Sequence, residues 1–168
     1  MATSLPIRVL VSILLLPVNV VLVIPGLLMW LLGQMRLPAW SSPRLWLGCA
    51  IAAIGLVMSG WTVSLFVKIG KGTPAPWDAP VRLVIAGPYR HVRNPMISGV
   101  LLMLLGEAIV FWSWAVLAWF ALFVVGNFVY MPLVEEKRLA QRYGEQYWTY
   151  KANVPRWLPR VRPWMPGQ

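Results

Sequence analysis

Hydrophobic positions lie in long blocks along this chain, at residues 7–32, 45–67 and 96–134, separated by short polar or Pro- and Gly-rich stretches. A helix that crosses a bilayer needs about 20 predominantly apolar residues, and the first block meets that length. A cleaved leader would carry an apolar region of only about 7–15 residues before a small-x-small site, so this block is expected to be a span. Pro17 and Pro25 interrupt it. Each removes a backbone hydrogen bond, so the helix is expected to kink, its freed carbonyls met by neighbouring helices and, near Pro17, by Asn19.

The second block is the cleanest span. Its small residues recur four apart, Gly48 with Ala52 and Gly55 with Ser59, a spacing that lets two helix backbones approach closely. The third block is 39 residues long. One helix of that length would measure about 58 Å, nearly twice the hydrocarbon thickness. It must therefore fold as a hairpin, with its turn at Phe111-Trp112-Ser113-Trp114, because Trp favours the interface and Ser tolerates a turn.

The spans so predicted are about 7–32, 45–67, 95–110 and 115–134. Between the first two lies a short polar turn with Pro38 and Pro43. The loop 68–94 is rich in Pro and Gly, and within it 81–86 either pairs briefly or lies along the surface. After Val134, residues Leu139, Tyr143, Tyr147 and Tyr150 recur at helical spacing among charges, the pattern of an amphipathic surface helix. Gly144 is placed to divide it. The Pro-containing tail that follows is extended. The fold class is thus an all-α membrane protein: about four transmembrane helices plus a cytoplasmic amphipathic C-terminal helix, with 1–168 forming a single membrane domain.

Composition sharpens this picture. The 168 residues are 59% hydrophobic and 12% charged, against about 25% charged in a soluble domain. The net charge of +10 is not read as a nucleic-acid footprint. Loops beside apolar spans collect Lys and Arg on the cytoplasmic side. Five basic residues lie in 68–93, seven follow Val134, and Arg8 joins them, leaving Arg36 and Arg44 for the other face. Four spans with both termini cytoplasmic satisfy that rule. The expected location is the inner or plasma membrane of a prokaryote, multi-pass, with the lipid bilayer as the surrounding partner; oligomeric state is left open.

Several chemistries are excluded. A single His without a neighbouring Asp or a Ser elbow makes no hydrolytic triad. One His and one Cys (Cys49, inside a span) make neither a metal site nor a disulfide. No phosphate-binding glycine loop occurs.

The remaining polar groups are few. Gly87 to Met96 is basic, carries the only histidine, His91, and leads into the third span. Pro95 stands at the first turn of that span, whose free N–H groups favour an anionic group, and Arg90 and Arg93 add positive charge. Glu135 and Glu136 end the fourth span, either pairing with nearby cations or serving a ligand. Glu107 lies about 18 Å into the third span, where an ionisable group is costly. It is either functional or a hydrogen-bonded tie between helices, with Asn127 its expected partner.

The ordered set Gly87-Pro88-Tyr89-Arg90-x-Val92-Arg93-Asn94-Pro95-Met96-x-x-Gly99, Glu135-Glu136-x-x-Leu139, Tyr143-Gly144-x-x-Tyr147-x-x-Tyr150 and Val154-Pro155-Arg156-Trp157-Leu158-Pro159 resembles the isoprenylcysteine carboxyl methyltransferase and phospholipid methyltransferase superfamily. The resemblance covers about 87–159. It implies a pocket for S-adenosyl-L-methionine built from the 68–94 loop and the 135–168 segment, with a lipophilic acceptor reaching it from the bilayer. By position, Tyr89, Arg93, Asn94, Pro95 and Gly99 would line the cofactor. Glu136, Tyr147 and the Pro155-Arg156-Trp157 turn would complete the pocket. Glu136 could face the donor's positive charge, and Glu136 or His91 would act as base where an acceptor needs one.

Two departures bear on the acceptor. The family's usual His-Pro-x-Tyr is Asn94-Pro95-Met96-Ile97 here, and the Arg that prenylcysteine enzymes place before the paired Glu is replaced by Tyr130-Met131-Pro132-Leu133-Val134. Prenylcysteine is therefore not the expected acceptor. The sequence supports a membrane methyltransferase acting on a lipid amine, thiol or carboxylate. The alternative is a non-catalytic membrane protein that keeps the fold as a binding or partner subunit.

Overall fold

A computed structural model describes residues 4–166, and among these every regular element is helical. Three helices are long and apolar enough to cross a membrane: α1 (Leu5–Leu31), α2 (Pro43–Gly70) and α4 (Trp114–Tyr143). The apolar α3 (Pro95–Phe111) is shorter, and α5 (Glu145–Asn153) follows α4.

The proline-bearing segments stay helical by widening. Leu14–Val23, around Pro17, and Met131–Glu135, around Pro132, are π-helical. A wider turn accommodates the missing N–H and the ring. Asn19 Nδ2 donates to the carbonyls of Leu14 and Leu15 at 2.8 and 3.1 Å, and Trp119 Nε1 reaches across from α4 to Val20 O at 2.9 Å. The local amide and the neighbouring helix thus both satisfy this stretch. Past Pro132 the chain stays helical: α4 runs on through the π turn to Tyr143, and Gly144 divides this polar stretch from α5.

Helix ends follow local chemistry. Gly33, at φ +64°, closes α1 with bonds from Gly33 N to Trp30 O and Gln34 N to Met29 O, a left-handed glycine C-cap. The chain reverses between α3 and α4 at Trp112 and Ser113. Ser113 caps α4 by accepting from Val116 N and donates its own hydroxyl to Gln34 Oε1 at 2.7 Å. That bond ties the hairpin to the end of α1.

The closest pairing is α2 with α3. A Cβ on Gly48 would lie 2.6 Å from Gly106 O, and one on Gly99 would lie 2.7 Å from Gly55 O. The small residues spaced along α2 therefore meet glycines of α3, backbone to backbone. Helix α3 is the most enclosed, with Val100, Met103, Leu104, Ala108 and Val110 all buried. The outer faces of α1, α2 and α4 expose Leu, Val, Phe and Trp along their length, a surface suited to lipid.

Candidate functional site

At the cation-rich end of the bundle, helices α1 to α4 and the 73–84 loop enclose a cavity of about 310 Å³. Its walls are mainly apolar and continue upward past Leu16, Val20 and Phe123. The polar exceptions include Arg82, Arg93, Asn94, Asn127 and Glu135. An apolar enclosure with a few polar groups is the usual form of a small-molecule site.

The loop is fixed from three sides. Arg8 forms a two-pronged ion pair with Asp78, Thr73 N donates to Asp78 O at 3.0 Å, and the Tyr143 hydroxyl donates to Pro80 O. The turn Gly87–Arg90 then delivers Tyr89 to the cavity, stacked on Phe66 with ring centroids 5.5 Å apart. Tyr150 Oη donates to Tyr89 O at 2.7 Å from the other side. Burial holds the Tyr89 phenol well above its usual range, with the Tyr150 hydroxyl adding to the effect.

Asn94 occupies the N-cap of α3, but its side chain makes no capping bond, so the amide remains available to the cavity it lines. The first helical bond is from Ser98 N to Asn94 O, which leaves the amides of Met96 and Ile97 without intrahelical acceptors. Pro95 is buried in that first turn and does not line the cavity. Gly99 also lies outside it, filling the contact with Gly55 and Ser59. Its lack of a side chain serves helix packing.

The adjacent carboxylates face different surroundings. Glu136 accepts from Arg93 Nη1 at 2.8 Å and from Arg156 Nε at 2.5 Å on Oε1, and from Lys151 Nζ at 2.8 Å on Oε2. Arg93 also donates to Tyr147 Oη at 3.3 Å, and Tyr147 is buried. A carboxylate engaged by three cations is a structural hub, not a free base. In this structure Glu136, expected from the sequence to meet the cofactor or to take a proton, is engaged by those three side chains. Glu135 lines the cavity and forms no ion pair among the described residues.

His91 lies apart from the cavity. Its Nδ1 donates to Arg160 O at 2.8 Å, a carbonyl being able only to accept, and it lines a separate outer groove. With Arg93 N to Pro155 O, Arg160 N to His91 O and Trp164 N to Arg90 O, it fastens the C-terminal strap 155–164 along residues 90–93. Trp157 stacks on Phe128 at 4.9 Å. Its Nε1 and the Nε of Arg93 are buried donors without partners.

Glu107 and Asn127 do not pair. Asn127 Nδ2 donates to Phe123 O at 2.8 Å, and Glu107 Oε2 is buried without a partner. In the antiparallel hairpin Glu107 lies near the 112–113 turn and Asn127 near the opposite end, so they stand at different depths. Arg82, Tyr143 and Tyr150 line the cavity but were not singled out as site residues from sequence. Only the aromatic spacing of the C-terminal helix pointed to the two tyrosines, and nothing pointed to Arg82.

Comparison with known proteins gave one positive result. No curated protein and no solved structure matches the chain. The profile of the family described as phospholipid methyltransferase matches residues 43–146, which takes in α2, α3, α4 and most of the residues that line the cavity. By that match, over well more than half its length, this multi-pass membrane protein belongs to the phospholipid methyltransferase family.

Proposed function

We propose that the protein is an S-adenosyl-L-methionine-dependent methyltransferase whose acceptor is a lipophilic or membrane-embedded molecule. The observation that carries this is the cavity: an apolar enclosure running along membrane-type helices, with Arg93, Asn94 and Glu135 together at its cation-rich end. Lipid and charged donor need those two characters side by side.

The donor set fits such a cofactor. It is a zwitterion with a further positive charge at sulfur, so it calls for a carboxylate and for hydrogen-bond donors in one place. Glu135, without an ion-pair partner among the described residues, supplies the first. The unpartnered Nε of Arg93, the Asn94 amide and the first-turn N–H groups of α3 supply the second. When bound, the cofactor contributes a methyl group activated by its sulfonium.

The protein's own part is positioning and exclusion of water. Tyr89 and Phe66 wall the cavity, and the hub at Glu136 joins the α4 end to Arg93 and to the C-terminal segment, so the site's two halves move as one. For an amine or thiol acceptor, Glu135 is the carboxylate placed to take the departing proton. The Lys- and Arg-rich loops support a cytoplasmic location for this end by the positive-inside rule.

The test is twofold. Purified protein in nanodiscs should bind the donor, and labelled methyl from it should appear in a lipid extract. Binding without transfer to any lipid would favour the non-catalytic reading. Absence of binding would defeat both the cofactor and the site.

A further inference from the structure

On the face of α2 turned away from the bundle, an open groove of about 800 Å³ runs between the helix and the C-terminal strap. Its wall is apolar and outward-facing: Val57 is 69% exposed and Trp61 is 52% exposed, with Ile54 beside them. Its floor is the turn Gly87–Arg90, seated directly on the Trp61 indole. A Cβ on Gly87 would lie 3.0 Å from Trp61 Cζ2, and the residue adopts φ +53°, so glycine permits both the fold of the turn and its close seat. Trp favours the depth at which a membrane meets water.

The rim is cationic. Arg90 lines the groove, its Nε reaches only Ile85 O at 3.5 Å, and it forms no ion pair among the described residues. The strap side of the groove is lined by Pro159 and Pro163, and Val161 between them is 95% exposed. An apolar wall at membrane depth with unneutralised arginine at its rim complements a molecule with an acyl chain and a negative headgroup.

We infer that this groove binds one anionic diacyl phospholipid as a resident lipid, distinct from the acceptor. An acyl chain lies along Ile54, Val57 and Trp61, and the phosphate lies at Arg90. Charge complementarity selects an anionic headgroup, since a zwitterionic one would bring its own cation to the rim. Free phosphate would leave the apolar wall uncovered. The buried Tyr89 and Val92 separate this groove from the cavity. The same turn thus shows Tyr89 to the cavity and Arg90 to the lipid, and the bound lipid backs both the turn and the strap fastened to it.

Native mass spectrometry of the full chain, released from detergent with phosphatidylglycerol or phosphatidylcholine of equal chain length, tests this. One phosphatidylglycerol should be retained in preference to phosphatidylcholine. Arg90→Gln should reduce that preference by about fivefold, the weight of one interfacial arginine, and Arg44→Gln should leave it intact. Equal retention of the two lipids, an unchanged preference in Arg90→Gln, or displacement of the lipid by glycerol phosphate at equal concentration would overturn the proposal. A photoactivatable phosphatidylglycerol on the unmodified protein gives a reading free of any folding defect. Cross-links should centre on residues 54–61 and 159–163; an even spread over α1 and α4 would overturn it too.

Discussion

Arg93 and Glu136 stand 43 positions apart in the chain and 2.8 Å apart in space. The pair joins the start of α3 to the far end of α4, and Glu136, with a side chain only 7% exposed, gathers Lys151 and Arg156 as well. Removing one partner of a buried ion pair is costly because the other charge stays behind, here three of them. Glu136→Gln should therefore lower stability by about 3 kcal/mol, seen as a clear fall in the thermal midpoint in detergent. A midpoint within a degree of the unmodified protein would show that the hub is not structural.

Glu135→Gln should behave in the opposite way. Its carboxylate faces the cavity and holds no ion pair, so the fold should survive while donor affinity, methyl transfer or both fall by at least tenfold, a difference of about 1.4 kcal/mol. Calorimetric titration with the donor, set against the thermal midpoint, separates the two neighbours. If Glu135→Gln binds and transfers normally, the carboxylate is not part of the site.

Which of these neighbours meets the cavity and which meets the three cations was not legible in the sequence, for a definable reason. Successive helical residues point about 100° apart, so which of two adjacent carboxylates faces a cavity depends on the phase of the helix. The π turn at Met131–Glu135 shifts that phase by one residue at the pair itself. Its presence cannot be inferred from Pro132 alone. Glu107 and Asn127 are a different case: the predicted turn at 111–114 already sets them at different distances from the hairpin's end, so their separation was legible. Likewise, the apolar blocks, the turn at Trp112-Ser113 and the small-residue face of α2 were readable, since each depends on local composition or fixed spacing. His91 falls between the two. Its place in the motif was visible, but its engagement with Arg160 required a strap whose path no local pattern records.

The α2–α3 seam gives a third expectation. Gly99→Ala puts a methyl 2.7 Å from Gly55 O, and neither backbone can yield without parting the helices. A loss of about 1–3 kcal/mol follows. Gly60→Ala meets nothing within 4 Å and should be neutral or stabilise by up to about 1 kcal/mol, from helix propensity. Paired thermal melts decide it. Equal effects at the two sites would mean the seam is looser than the geometry shows.

His91 offers a fourth. Because its ring holds the strap and lies outside the cavity, His91→Ala should leave methyl transfer within a few-fold of normal. The strap should become more open to proteolysis, since a bond worth about 1 kcal/mol is lost. A thousandfold loss of turnover with an intact strap would instead restore His91 as a catalytic group.

The tyrosines of the C-terminal cap set an alkaline limit. Burial raises the Tyr150 phenol, the Arg93 charge opposes this, and Tyr147 adds to the rise. Tyr147 is raised chiefly by burial and by Glu136. In the unfolded chain these phenols ionise near pH 10. Below that pH both states keep their protons, and the stability of the cap is fully present. Above it the unfolded chain releases protons that the folded chain still holds, so stability falls as pH rises through the interval between the unfolded and folded values. Absorbance at 295 nm should show these residues ionising together with unfolding, above pH 10, and not as independent surface phenols. Tyr150→Phe should remove the bond to Tyr89 O and leave that carbonyl unpaired at a cost of about 1–3 kcal/mol, read as a lower thermal midpoint at neutral pH, and should lessen the fall of stability above pH 10. An unchanged midpoint at neutral pH would show that the bond between Tyr150 and Tyr89 does not hold the cap to the cavity.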